Sequence, residues 1–197
     1  MNTALSEVGP PAALAGPRQR TPSLILGPFY PLRPPAYAGG DLWMQQGGRA
    51  RQAQPVAISG RVVNLAGRAV VDALVEVWQA DEGGRYRHPS APQPALDDPG
   101  FVGYGALRTD TSGCYRFRTL RPGAYGELAR QRAPHIHFQV TGAYDRLVTQ
   151  MFFPDEPLNA HDHWYRATTR AHQLVACVTL HTPGVLQLSW DIVLSTG

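Results

Sequence analysis

The chain has 197 residues, of which 43% are hydrophobic and 17% charged, so it can build one domain with a substantial core and is too apolar to be disordered. Its net charge is +3, and all 18 basic residues are arginines scattered without a run or stripe, which argues against a nucleic-acid binder but suits a pocket for a small anion. Two cysteines make no disulfide framework, no apolar run approaches membrane-spanning length, and the Pro- and Ala-rich start does not read as a secretory signal; a soluble cytoplasmic protein is expected.

Twenty glycines and 18 prolines supply many turns and favour an all-β architecture. Residues 1–50 read as an N-terminal arm. Leu24, Ile25, Leu26, Phe29 and Tyr30 are too apolar to float free, so the arm should pack extended on the core or on a neighbouring subunit. Residues 51–197 read as a β-sandwich. Val56, Ile58 and Val62 alternate with smaller or polar residues, and Asn64-Leu65-Ala66-Gly67 is a turn. Val70–Trp78 reads as a buried strand in which Glu76 must find a partner. Asp110-Thr111-Ser112-Gly113 should turn between strands at Ala106–Thr109 and Cys114–Arg118. Further strands are expected at His135–Val140, Leu147–Phe153, Gln173–Leu180 and Val185–Leu194, the last two as a terminal hairpin. Helix is confined to one or two turns within 158–170. Cys114 and Cys177 lie in apolar runs and are expected to be buried thiols.

The stretch Arg132-Ala133-Pro134-His135-Ile136-His137-Phe138 carries the most chemistry. On a strand, His135 and His137 share one face while Ile136 and Phe138 point to the other, into a core. Paired imidazoles pack poorly but ligate metals well, although His-x-His alone is a weak signal. A second pair, His161 and His163, lies in a polar loop and reads as surface. Tyr86 and Tyr125 stand where the chain enters or leaves strands, and two phenols with two imidazoles point to a non-haem ferric site.

These segments occur in order with Thr21-Pro22-Ser23, Gly27-Pro28-Phe29-Tyr30, Val75-Glu76-Val77-Trp78-Gln79-Ala80-Asp81, Gly84-Arg85-Tyr86-Arg87-His88, Arg121-Pro122-Gly123-Ala124-Tyr125 and Thr149-Gln150-Met151-Phe152-Phe153. Together they resemble the intradiol ring-cleaving dioxygenases, most closely the protocatechuate 3,4-dioxygenase branch. The resemblance covers roughly residues 21–197. It implies Fe(III) held by Tyr86, Tyr125, His135 and His137, with a catecholic substrate and O2 as reactants. Tyr125 would be the labile ligand, released on substrate binding to act as an internal base. Arg132 would stabilise the electron-rich ring, Gln150 would stand beside it, and His88 would orient the Tyr86 loop. Cleavage between the hydroxyl-bearing carbons would give a cis,cis-muconate. Tyr104, Tyr115 and Tyr144 are read as buried tyrosines bonded to backbone.

Two departures from the protocatechuate branch stand out. The loop from Tyr125 to Arg132 is short, and it reads Gly126-Glu127 where a bulky aromatic is expected; a carboxylate turned inward there would repel an anionic ring substituent. One chain also combines the Gly-Pro-Phe-Tyr segment with all four ligand positions, which implies a homo-oligomer, alone or with a homologous chain. Catechol or hydroxyquinol 1,2-dioxygenase activity, a non-catalytic subunit and a zinc-binding or metal-free sandwich module are the alternatives.

Overall fold

In the computed structural model the described residues are 18–34, 40–43, 53–95, 100–127, 130–182 and 184–196. Nine strands follow the turn signals: β1 (Pro55–Asn64), β2 (Leu74–Trp78), β3 (Tyr104–Arg108), β4 (Cys114–Leu120), β5 (His135–Thr141), β6 (Arg146–Phe152), β7 (Cys177–Thr182), β8 (Val185–Ser189) and β9 (Ile192–Leu194). The short helix α1 (His163–Ala167) and 3-10 turns at Pro157–Ala160 and Ala171–Leu174 are the helical elements among the described residues.

The strands form two sheets, as expected of an all-β sandwich. One runs β4-β1-β8-β7 with β9 added on β1; the other runs β3-β2-β5-β6. Period-two alternation fills the space between them. Ile58 of β1 and Phe117 of β4 face Val77 of β2 and Phe138 of β5 within one buried core. Phe138 lies 5.9 Å from the Phe117 ring and 5.0 Å from the Trp190 ring, so aromatic contacts bridge the sheets.

The second sheet is buried on its other face as well: His135, Ile136, His137 and Phe138 are all buried in sequence. The N-terminal segment runs along the edge of β6, where Leu24 N–H donates to the Val148 carbonyl and the Pro22 carbonyl accepts from Thr149 Oγ1, and then reaches the outer face, where Gly27 closes on His137 and Phe29 stacks on Tyr86. The described part of the arm therefore packs along its own chain's core. Residues 1–17, 35–39 and 44–50, the rest of that arm, lie outside the described residues.

Several expectations are corrected. The strand expected over Val70–Trp78 starts only at Leu74, because Val70 N–H pairs with the Val62 carbonyl and Asp72 takes a left-handed turn with φ 58°. The strand expected over Gln173–Leu180 begins at Cys177, after a 3-10 turn whose Gln173 carbonyl accepts from Trp190 Nε1. The last strand breaks at Trp190-Asp191, where Trp190 N–H bonds to Ser59 and Asp191 Oδ1 accepts from Arg61 N–H; both halves run parallel to β1. Cys177 is exposed and Cys114 only half-buried, since each lies on a strand position facing outward. Tyr115 does donate to a backbone carbonyl, that of Trp190 at 2.6 Å. Tyr144, in contrast, is 83% exposed on the β5–β6 turn, and Tyr104 donates to a carboxylate rather than to backbone. That carboxylate is Glu76, which also accepts from Tyr30 and Gln139 and so finds three partners.

Candidate active site and metal centre

Four side chains from three places in the sequence meet on the covered face of the second sheet. His135 and His137 stand two apart on β5, with Nε2 atoms 3.1 Å from each other. Tyr125 Oη is 3.4 Å from His135 Nε2. The Tyr86 and Tyr125 rings meet edge to face at 5.3 Å, and Tyr86 lies 6.2 Å from the His137 ring.

Local sequence explains how each is presented. Asp81 Oδ1 accepts from the N–H groups of Gly83 and Arg85, both at 2.9 Å, which winds the chain into the turn that delivers Tyr86. The Asp81 carbonyl accepts from both Gly84 and Gly123 N–H, joining the Tyr86 turn to the Tyr125 loop. This joint requires glycine. A Cβ on Gly84, at φ +75°, would collide with the Ala124 carbonyl, and one on Gly123 would sit 2.7 Å from Gly84 N. Gly123→Ala is therefore expected to destabilise the fold by about 2 kcal/mol and to part the two phenols; urea unfolding and metal affinity of the variant check this. Tyr125 then exchanges two backbone hydrogen bonds with Arg132, which fixes the phenol beside the guanidinium.

Arg132 is held at three points. Its Nε donates to Asp162 Oδ2 at 2.9 Å, its Nη2 to Gln150 Oε1 at 2.6 Å, and its Nη1 to Tyr125 Oη at 3.4 Å. Arg132 thus makes an ion pair with Asp162 alongside its contact with the phenol. Gln150 Nε2 reaches the Ile25 carbonyl and lies 3.4 Å from His137 Nδ1. Trp78 stacks on His137 at 4.9 Å and Phe29 on Tyr86 at 4.6 Å. Gly27 approaches so closely that a Cβ there would lie 3.2 Å from His137 Cε1. His88 is half-buried, 5.9 Å from the Phe29 ring, and its Nδ1 accepts from Ser90 N–H. His161, His163 and Glu127 are exposed; residues 128–129 of the shortened loop lie outside the described residues.

The electrostatics favour neutral imidazoles. Burial pushes His135 down to about 3, helped by the Arg132 charge and opposed by the hydrogen bond to the Ala133 carbonyl. Burial, then His135 and Arg132, holds His137 well below its ordinary value. His135 Nδ1 at 2.6 Å from that carbonyl assigns Nδ1 as the donor and leaves Nε2 with its lone pair inward. His137 Nε2 lies 3.1 Å from it.

Without metal the folded protein refuses protons that the unfolded chain accepts below 6.5, so its stability should fall as pH drops from 6.5 toward about 3. The slope is up to about 1.4 kcal/mol per pH unit for each imidazole. Urea midpoints across this range measure it, and a variant lacking both imidazoles should lose most of the slope.

The phenols behave oppositely. Burial, then the neighbouring Tyr125, raises Tyr86 well above its usual range. Tyr125 is raised by burial and pulled partly back by Arg132. Tyr86 is 4% exposed, and its Oη is one of three buried polar side-chain atoms without a hydrogen-bond partner among the described residues. Such an orphan is costly unless something else occupies its lone pairs. A cation resolves it, because coordination reverses the burial effect and ionises the phenol. Two phenolates and two neutral imidazoles form an oxygen-rich, doubly anionic set that fits a hard trivalent ion. Groups of three or more His, Cys, Asp or Glu that could hold a metal are absent among the described residues, so the two phenols are what complete this set.

A family model described as Dioxygenase matches residues 25–196. The protocatechuate 3,4-dioxygenase beta chain of Burkholderia cepacia is 42% identical over 149 residues, 71% of this chain and 63% of that protein. Catechol 1,2-dioxygenase of Candida albicans is 32% identical over 164 residues, 74% of this chain and 51% of that protein. The chain thus spans between about half and two thirds of the length of these relatives. Among solved structures, the dioxygenase domain of a dioxygenase carbohydrate-binding protein fusion from Streptomyces sp. SirexAA-E superposes with TM-score 0.69 at 28% identity, covering 91% of this chain and 100% of that one. The chain belongs to the intradiol ring-cleavage dioxygenase family.

Proposed function

We propose that this chain is a non-haem Fe(III) dioxygenase that opens a protocatechuate-like catechol with O2 to a cis,cis-muconate. Tyr86, Tyr125, His135 and His137 hold the iron. The observation that carries the reading is the convergence of two phenols and two imidazoles, with Tyr86 Oη buried and unpartnered. Bound Fe(III) would supply a Lewis acid that acidifies the catechol hydroxyls, and loss of their protons would make the ring electron-rich.

The chain's own groups do the rest. Tyr125 is the ligand best placed to leave, because Arg132 Nη1 waits 3.4 Å from its Oη. Its oxygen would accept a substrate hydroxyl proton. Arg132 offers a permanent charge beside the ring, where it strengthens as negative charge develops. Gln150 holds the guanidinium and touches His137. Trp78, Phe29 and Gly27 wall the site and exclude water.

The protocatechuate preference rests on the Burkholderia cepacia relative. Glu127 is exposed, so its carboxylate is not enclosed with the four site side chains. We read residues 51–197 as the catalytic domain, with the described residues of the preceding arm lying along it. We read the protein as working in the cytoplasm as a homo-oligomer, alone or with a homologous chain. Described helices are all too short or too polar to cross a membrane.

Oxygen uptake by the iron-loaded protein tests this with protocatechuate, catechol and hydroxyquinol. Protocatechuate should give the highest kcat/KM. Preference for catechol or hydroxyquinol would move the substrate within the class, and no uptake with any of them would overturn the reading.

A further inference from the structure

We propose that Asp162 is a positioning residue that sets the orientation of Arg132, an inference that rests on the catalytic reading above. Asp162 sits in the polar loop between exposed His161 and His163, yet its own side chain is 0% exposed. Its carboxylate is shared between two tasks. Oδ1 accepts from the N–H groups of Trp164 at 2.9 Å and Tyr165 at 3.1 Å, capping α1. Oδ2 turns the other way and accepts from Arg132 Nε at 2.9 Å and Ala133 N at 3.0 Å.

A cap alone needs only one short side-chain oxygen; serine or asparagine serves as well. Burying a full charge is costly and is not required for that task. The second oxygen is explained by what it holds. A guanidinium is a rigid planar fork, so fixing Nε on one edge determines where Nη1 and Nη2 point on the other. Here they point at Tyr125 Oη and Gln150 Oε1. Asp162 also grips the backbone at Ala133, between the arginine and the ligand strand, so it sets the register of Arg132 against His135. Its side-chain hydrogen bonds go to Arg132, Ala133, Trp164 and Tyr165 and to none of the four proposed ligands; beyond Arg132 it reaches Tyr125 only through its charge, a lesser effect than that of Arg132 itself.

Asp162→Asn separates the tasks. The remaining carbonyl oxygen can keep the α1 cap, while the amide sets N–H donors against Arg132 Nε and Ala133 N. Asp162→Ser keeps a cap oxygen and cannot reach Arg132. Both variants should retain their iron and lose turnover on protocatechuate by about 10- to 100-fold, the range for groups that orient a site from outside it. In an Arg132→Ala background, Asp162→Asn should cost almost nothing more, because its effect is transmitted by the side chain already removed. A crystal structure of Asp162→Asn should show the Arg132 side chain displaced from Gln150. Unchanged turnover in Asp162→Asn, losses that multiply in the double variant, or Arg132 undisturbed in the crystal would each overturn the proposal. Wild-type protein that loads iron but consumes no oxygen would instead bring down the catalytic reading, and the crystal structure would still report separately on the clamp.

Discussion

Tyr86→Phe is expected to stabilise the metal-free protein and to abolish its ability to hold iron normally. The two effects have opposite signs because one atom causes both. In the absence of a cation, Tyr86 Oη is a buried polar atom with no partner in hydrogen-bond geometry among the described residues, although the Tyr125 phenol is near enough to raise it further. Its removal relieves a desolvation cost of about 1 kcal/mol. For a domain of this size that raises the melting temperature by roughly 2–4 °C. In the iron-loaded protein the same oxygen is one of two anionic donors, and the red-brown tyrosinate-to-iron absorption should change or vanish with it. Turnover should fall by more than the roughly hundredfold at the upper end for outer-sphere partners. Calorimetry of the metal-free variant, with metal analysis and a visible spectrum after iron loading, reads all three. A variant that is less stable without metal and keeps wild-type colour would show that Tyr86 is a packing residue.

Arg132→Ala should separate substrate binding from reaction. Iron content and the colour change on anaerobic catechol binding should be largely preserved, since Arg132 itself is not a ligand. Oxygen consumption should fall about a hundredfold, the effect of losing roughly 3 kcal/mol of charge stabilisation in a water-poor site. The fold should also weaken by about 3 kcal/mol, because a buried ion pair loses one partner. That cost is tempered by the three backbone N–H groups that still reach the Asp162 carboxylate. Arg132→Lys should recover only part of the rate, since an ammonium cannot meet Asp162, Gln150 and Tyr125 from one plane. Normal turnover in Arg132→Ala, or outright loss of iron, would make the arginine structural.

The sandwich was legible because its strands alternate cleanly. His135-Ile136-His137-Phe138 announces one face for chemistry and one for the core, and β5 has that division. The errors lie where local pattern and tertiary pairing disagree. Val70–Trp78 is apolar throughout, but nothing in its composition reveals that Val70 will pair back to Val62 and force Asp72 into a left-handed turn. Val185–Leu194 alternates without a break, yet the close approach of Gly60 to the Trp190 carbonyl interrupts it. The proximity of Tyr86, Tyr125, His135 and His137 could be inferred only through family resemblance, because pairing among distant segments is invisible to periodicity. Trp78, Phe29 and Gly27 appeared within motifs, but their stacking on ligand-position side chains did not. Asp162 was hidden between two exposed histidines. The one clue was an aspartate just ahead of a short helix, which speaks for a cap and says nothing of its second oxygen.

The most direct test of the account is the product formed from protocatechuate under isotopically labelled O2 by the iron-loaded protein. The account predicts a colourless cis,cis-muconate with carboxyl groups at the two former hydroxyl-bearing carbons and label in both. A yellow semialdehyde, the product of cleavage outside the two hydroxyls, would contradict it, as would a ring left intact while oxygen is consumed.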